Sequence, residues 1–103
     1  SYKLAEFLAS KKVVAVGLDT PFVDAVADPN NPIPVPEGTP SNMVFPVHHY
    51  FLTQAGVHTL ENFNLKKISD DAVELSCVMI LPLMVKGSSA SSIRPVAIGP
   101  SIL

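Results

Sequence analysis

Apolar positions along this chain recur with two different periods, and the switches between them mark its elements. From Tyr2 to Ser10, Leu4, Phe7 and Leu8 fall at helical spacing while Lys3 and Glu6 point elsewhere, which predicts a short amphipathic helix. After two lysines, Val13-Val14-Ala15-Val16-Gly17-Leu18 is apolar and β-branched on both faces, the pattern of a central strand. Pro46 suits a first helical turn, Val47, Tyr50 and Phe51 give that turn an apolar face, and Ala55-Gly56 ends it, so a second helix is predicted over Val47–Gln54. The period then changes to two. Val57, Thr59 and Glu61 alternate with His58, Leu60 and Asn62, which predicts a strand over Val57–Glu61 with Leu60 on the face opposite Glu61.

Leu65 to Asp71 is short and polar, either a single helical turn or a loop. Val73 to Leu81 begins with alternation and turns continuously apolar, the pattern of a strand entering the core before Pro82 interrupts it. Gly87 to Ser92 reads as a flexible turn, and Ile93–Ile98 as a last short strand that Pro95 places at an edge or a bulge. Between the first strand and the second helix, Asp28 to Pro40 holds five prolines. That density excludes regular structure and predicts a long loop acting as a lid or a partner contact. The whole pattern predicts an α/β fold, a mixed sheet with short helices.

Composition narrows the functions such a chain can perform. At 103 residues, 48% of them hydrophobic, the chain is one domain near the small end for burying its own core. A net charge of −2 with no basic patch gives nucleic-acid binding no support. No apolar run reaches transmembrane length and no signal-peptide pattern is present, so no membrane partner is expected; the compartment stays open, with the cytoplasm favoured. Cys77, the only cysteine, excludes an internal disulfide and, inside an apolar run, reads as a buried thiol. The start at Ser1, without methionine and inside a predicted helix, points to processing or truncation, or to simple removal of the initiator.

Chemistry concentrates in Phe45 to Asn62, which contains all three histidines and ends in Glu61-Asn62. A histidine on a helix and a glutamate at the end of the next strand can meet. Imidazole and carboxylate are ligands that zinc and manganese accept, so the pair could be half of a metal site. Alternatively, the histidines cap or pack and Glu61 bonds to backbone. A second candidate stretch is Asp19-Thr20-Pro21-Phe22-Val23-Asp24, where Asp19 follows the first strand directly and precedes a Thr-Pro turn. Its carboxylate either organises that turn through local amides or has a catalytic role.

The order Val-Gly-Leu-Asp-Thr-Pro…Asp24, Phe-Pro-Val-His-His…Ala-Gly-Val…Leu-Glu-Asn, then Ile-Leu-Pro-Leu-Met-Val-Lys-Gly…Ser-Ile-Arg-Pro-Val-Ala-Ile resembles the carboxy-terminal half of the cyclase family. That family includes bacterial kynurenine formamidases and isatin hydrolase. The resemblance spans nearly the whole chain and implies a swivelling β/β/α architecture. It also implies a divalent metal, zinc or manganese, that activates water to open an amide or lactam of a small-molecule substrate. In the family pattern a histidine twelve positions before the glutamate of Glu-Asn lies on or against the metal. His49 stands twelve positions before Glu61, whereas the Phe-Pro-Val-His register selects His48. His49 and Glu61 are therefore the expected catalytic pair, and His49, Glu61 and His48 the expected candidates for the metal.

The departures from the pattern are equally specific. The family's His-x-Gly-Thr-His-x-Asp-x-Pro-x-His segment belongs to the amino-terminal half and has no counterpart here. The serine usual after Asp-Thr-Pro is Phe22, and the Ser-Pro-Val-Arg block reads Ser92-Ile-Arg94 with its proline displaced to Pro95. Two expectations follow. Either the chain is the carboxy-terminal part of a hydrolase whose metal is held only when a complementary amino-terminal chain is present, or it is a non-catalytic structural or binding protein that keeps the scaffold as a homo-oligomer.

Overall fold

Ser1 opens the first helix by accepting the Leu4 amide on its hydroxyl at 3.3 Å, an N-cap that satisfies one of the free amides of the first turn. The computed structural model describes residues 1–25, 30 and 38–99. Most of the predicted proline-rich loop, Asp28 to Pro40, lies outside the described residues. The chain divides into two units, Ser1–Leu65 and Lys66–Leu103, and each is taken by itself.

In the first unit, α1 (Tyr2–Ser10) is followed by β1 (Ala15–Gly17), α2 (Pro46–His49) and β2 (His58–Leu60). The second helix does not stop at His49 but continues as a π-helical segment over Tyr50–Ala55. Gly56 then ends it in the left-handed conformation (φ 67°), which an L side chain adopts only with strain. β1 and β2 are parallel, with Ala15 opposite His58 and Gly17 opposite Leu60. Their pairing extends past the strand ends: Leu18 donates to the Leu60 carbonyl and Phe63 donates to the Leu18 carbonyl, each at 2.9 Å. A parallel pair needs a long crossover, and α2 with its π-helical extension lies within it.

The core of this unit is Ala5, Val47, Phe51 and Val57, with Leu8, Val13, Val16 and Tyr50 packed against it. The helix face differs in part from the one predicted, of which Leu8 alone packs against the core. Tyr2 and Ala5 are buried, while Leu4 and Phe7 are each 54% exposed. Ala5 is small enough to let the helix backbone come close, and the Tyr2 ring meets Tyr50 at 5.4 Å between centroids. The predicted central strand is also corrected: β1 pairs with β2 alone among the described residues, and Val14 is 74% exposed.

In the second unit, α3 (Lys66–Asp70) is a single turn and more, with Lys66–Asp70 and Lys67–Asp71 ion pairs at 2.6 and 2.7 Å on its surface. β3 (Cys77–Met79) pairs antiparallel with β4 (Val96–Ile98), Val78 facing Ala97, and a bridge joins Pro82 to Ile93. The strand expected to enter a core from Val73 to Leu81 is only this short segment, and every residue of β3 and β4 is exposed. Cys77 is correspondingly an exposed thiol rather than the buried one predicted, on a strand that pairs with β4 alone among the described residues. No residue from 66 to 99 is buried. No helix among the described residues is long and apolar enough to cross a membrane. The architecture is a small mixed α/β arrangement of short helices and two-stranded sheets.

Candidate functional site

The first turn of α2 has an unusual need. Pro46 has no amide hydrogen and Phe45, at the N-cap position, has no side-chain acceptor, so the amides of Val47 and His48 must be satisfied from elsewhere. Asp24 supplies the acceptor. Its Oδ1 accepts from the Val47 amide at 2.8 Å and its Oδ2 from the His48 amide at 2.9 Å. A carboxylate at a helix start also meets the positive end of the peptide dipoles, which offsets its burial, although so short a helix contributes little of this. The Asp24 side chain is 3% exposed.

The same Oδ2 lies 2.7 Å from His48 Nδ1. Asp24 thus holds both the backbone and the ring of one residue, which fixes the imidazole plane relative to the helix. On the other side of the ring, Nε2 lies 2.7 Å from Oε1 of Glu61, the residue immediately after β2. Glu61 Oε1 also accepts from the Val23 amide at 3.1 Å, which ties the strand end back to the segment bearing Asp24. An ionised carboxylate only accepts, so each short contact calls for a proton on that ring nitrogen. The three side chains form one line, carboxylate to imidazole to carboxylate.

Exposure is graded along it, from the buried Asp24 to His48 at 22% and Glu61 at 26%. Phe22 and Phe45 stand beside the ring. Their own rings are nearly parallel at 6.0 Å, and both meet His48 edge-on, Phe45 at 5.9 Å and Phe22 at 6.5 Å. Phe22 is therefore part of the wall of this site.

The structure brings His48, rather than the expected His49, to Glu61. Neighbouring residues on a helix point about 100° apart, so only one of them can face the strand end. His49 is exposed, and its Nε2 lies 3.5 Å from Thr53 Oγ1 one turn on. His58 is exposed on β2, and Asp19 is exposed beyond β1. Neither joins the line.

No family model matches the chain, and no curated protein or solved structure matches it either.

Asp24 is the residue to which sequence reasoning assigned no role, although it closes the Asp19–Asp24 stretch singled out above. One signal pointed to it: a helix opening with Phe-Pro-Val-His has amides that its own N-cap cannot satisfy, and so needs an acceptor from a distant segment. For a divalent ion, the donors here fit in kind, a borderline nitrogen and a hard oxygen, but fall short in number. Among the described residues no group of three or more His, Cys, Asp or Glu side chains is placed to hold a metal. Asp24 is already committed to two amides and Nδ1, which leaves Nε2 of His48 and the carboxylate of Glu61. A cavity of about 980 Å³ in the second unit, lined by Lys67, Asp71, Ser76, Arg94 and Val96, contains none of these three residues.

Proposed function

We propose that this chain is the carboxy-terminal part of a metal-dependent hydrolase of the cyclase kind, acting on an amide or lactam of a small molecule. The observation that supports this reading best is the orientation of His48. A buried carboxylate on Nδ1 is the arrangement that fixes metal-binding histidines with Nε2 forward, and Nε2 here is aimed at a second, partly open carboxylate at a strand end. His48 Nε2 and Glu61 are the donors this chain would contribute, in place of the His49 and Glu61 pair suggested by spacing. A bound zinc or manganese ion would supply Lewis-acid chemistry and lower the pKa of a water toward neutrality. Glu61 would orient that water and accept its proton, and Phe22 and Phe45 would shield the ring from bulk solvent. The further donors belong to the part of the family pattern that carries the His-rich segment, on the same polypeptide or on a partner.

A second reading has an observation of its own. With both ring nitrogens paired to carboxylates of the same chain, the site is satisfied without any ion, as a structural or binding protein on this scaffold would require. The exposed apolar ribbon of the second unit would then be covered by self-association.

The two readings separate on protein purified from its native source, by intact mass, native electrophoresis and elemental analysis after dialysis. The hydrolase reading expects a polypeptide bearing the His-rich motif and stoichiometric zinc or manganese that is lost in His48→Ala and in Glu61→Ala. A metal-free homo-oligomer overturns it, and so does stoichiometric metal that survives both substitutions.

A further inference from the structure

We infer that Asp24 is a positioning residue, which sets the tautomer of His48 so that Nδ1 holds the ring proton and Nε2 is the nitrogen offered to the open side of the site. The inference deepens the reading of this site given above and takes from it only that Nε2 is the working nitrogen. Its basis is the geometry of one carboxylate. Asp24 Oδ2 accepts from the His48 amide at 2.9 Å and lies 2.7 Å from Nδ1 of the same residue, while Oδ1 is anchored on the Val47 amide at 2.8 Å.

An acceptor held this way cannot turn to present a donor. It has no hydrogen of its own when ionised, it is 3% exposed, and two backbone amides fix its plane. A ring nitrogen 2.7 Å from it must therefore be the protonated one whenever the ring has a single proton. Glu61 is held differently: one backbone amide, from Val23, and a quarter-exposed side chain leave it free to move aside. Of the two carboxylates, Asp24 is the one that dictates the tautomer.

The test reads the ring nitrogens directly. In a Glu61→Gln variant of the whole chain, residue 61 can donate its amide hydrogen to an unprotonated Nε2. Two-bond proton–nitrogen spectra of the histidines, taken at a pH where the nitrogen shifts themselves report a singly protonated ring, should show His48 as the Nδ1–H form. The excess over the Nε2–H form should be about tenfold or more, the discrimination that one charge-assisted hydrogen bond supplies. The exposed His49 and His58 in the same spectrum serve as internal references.

Asp24→Asn, added to Glu61→Gln, presents an amide in place of the carboxylate and should reverse the preference at His48 alone. If Asp24 merely caps α2, the tautomer of His48 will match those of His49 and His58, and the inference is overturned. Should Asp24→Asn fail to fold, the single Glu61→Gln variant still decides, because an Nε2–H ring there contradicts the proposal outright. No metal enters this measurement. A metal-free native protein would end the hydrolase reading and leave the tautomer result standing.

Discussion

At the scale of single residues, the site depends on which of two adjacent histidines turns inward. Spacing along the sequence could place a histidine near Glu61 but could not choose between His48 and His49, because the choice is made by a carboxylate more than twenty residues upstream. Asp24 was readable only as one acidic residue in a loop; its role comes from a tertiary contact with the start of a helix. This asymmetry predicts unequal costs. Asp24→Ala strands two helix amides and a ring nitrogen in a buried position and should destabilise the chain by roughly 2–5 kcal/mol. His49→Ala, on an exposed position, should cost within about 0.5 kcal/mol. Urea denaturation of the two variants beside the parent chain measures both. Equal losses would mean that the bonds of Asp24 to the helix start and to His48 add no more to stability than an exposed side chain does.

At the scale of elements, the positions of helices and strands were legible where local rules decide them. Pro46 at the first turn and Gly56 at the last bound the second helix, since proline lacks the amide that a first turn leaves unpaired and glycine adopts a left-handed φ at least cost. Which face of α1 is buried was not legible. Leu4 and Phe7 are more hydrophobic than Tyr2 and Ala5, yet the shape of the neighbouring helix favours a small residue and an aromatic pair. The apolar strand at Val13 to Leu18 was similarly read as central, because a sequence records that both faces are apolar and not what covers them. Gly56 provides a test free of packing effects. No atom lies within 4 Å of where its Cβ would stand, so Gly56→Ala reports backbone strain alone. It should cost roughly 1 kcal/mol, and Gly56→Asn should cost less, since asparagine tolerates the left-handed region better. Thermal denaturation in which the two substitutions were indistinguishable from the parent would show that Gly56 does not need its positive φ.

At the scale of the whole molecule, composition and burial disagree, and the disagreement is greatest in one unit. Nearly half of the residues are hydrophobic, but the described core is Tyr2, Ala5, Val47, Phe51 and Val57, all from the first unit. In the second, Leu75, Leu81, Leu83 and Met84 are at least 63% exposed, and every residue of the two-stranded β3–β4 ribbon is exposed. A lone hairpin-sized ribbon is at best marginally stable in water. Two outcomes follow for the chain by itself. Amides of β3 and β4 should exchange with solvent far faster than those of α1 and of the β1–β2 pair, since opening them exposes almost no new apolar surface. The chain should also associate as its concentration rises into the micromolar range, because exposed strand edges that carry apolar side chains favour pairing with another chain. Val78→Lys, which puts a charge on the ribbon at a position already 51% exposed, should weaken that association without disturbing the first unit. Sedimentation equilibrium measures the association, and hydrogen exchange followed by mass spectrometry measures the protection. A folded monomer at micromolar concentration with a well-protected ribbon would show that the second unit stabilises itself, and that the exposed residues need no partner.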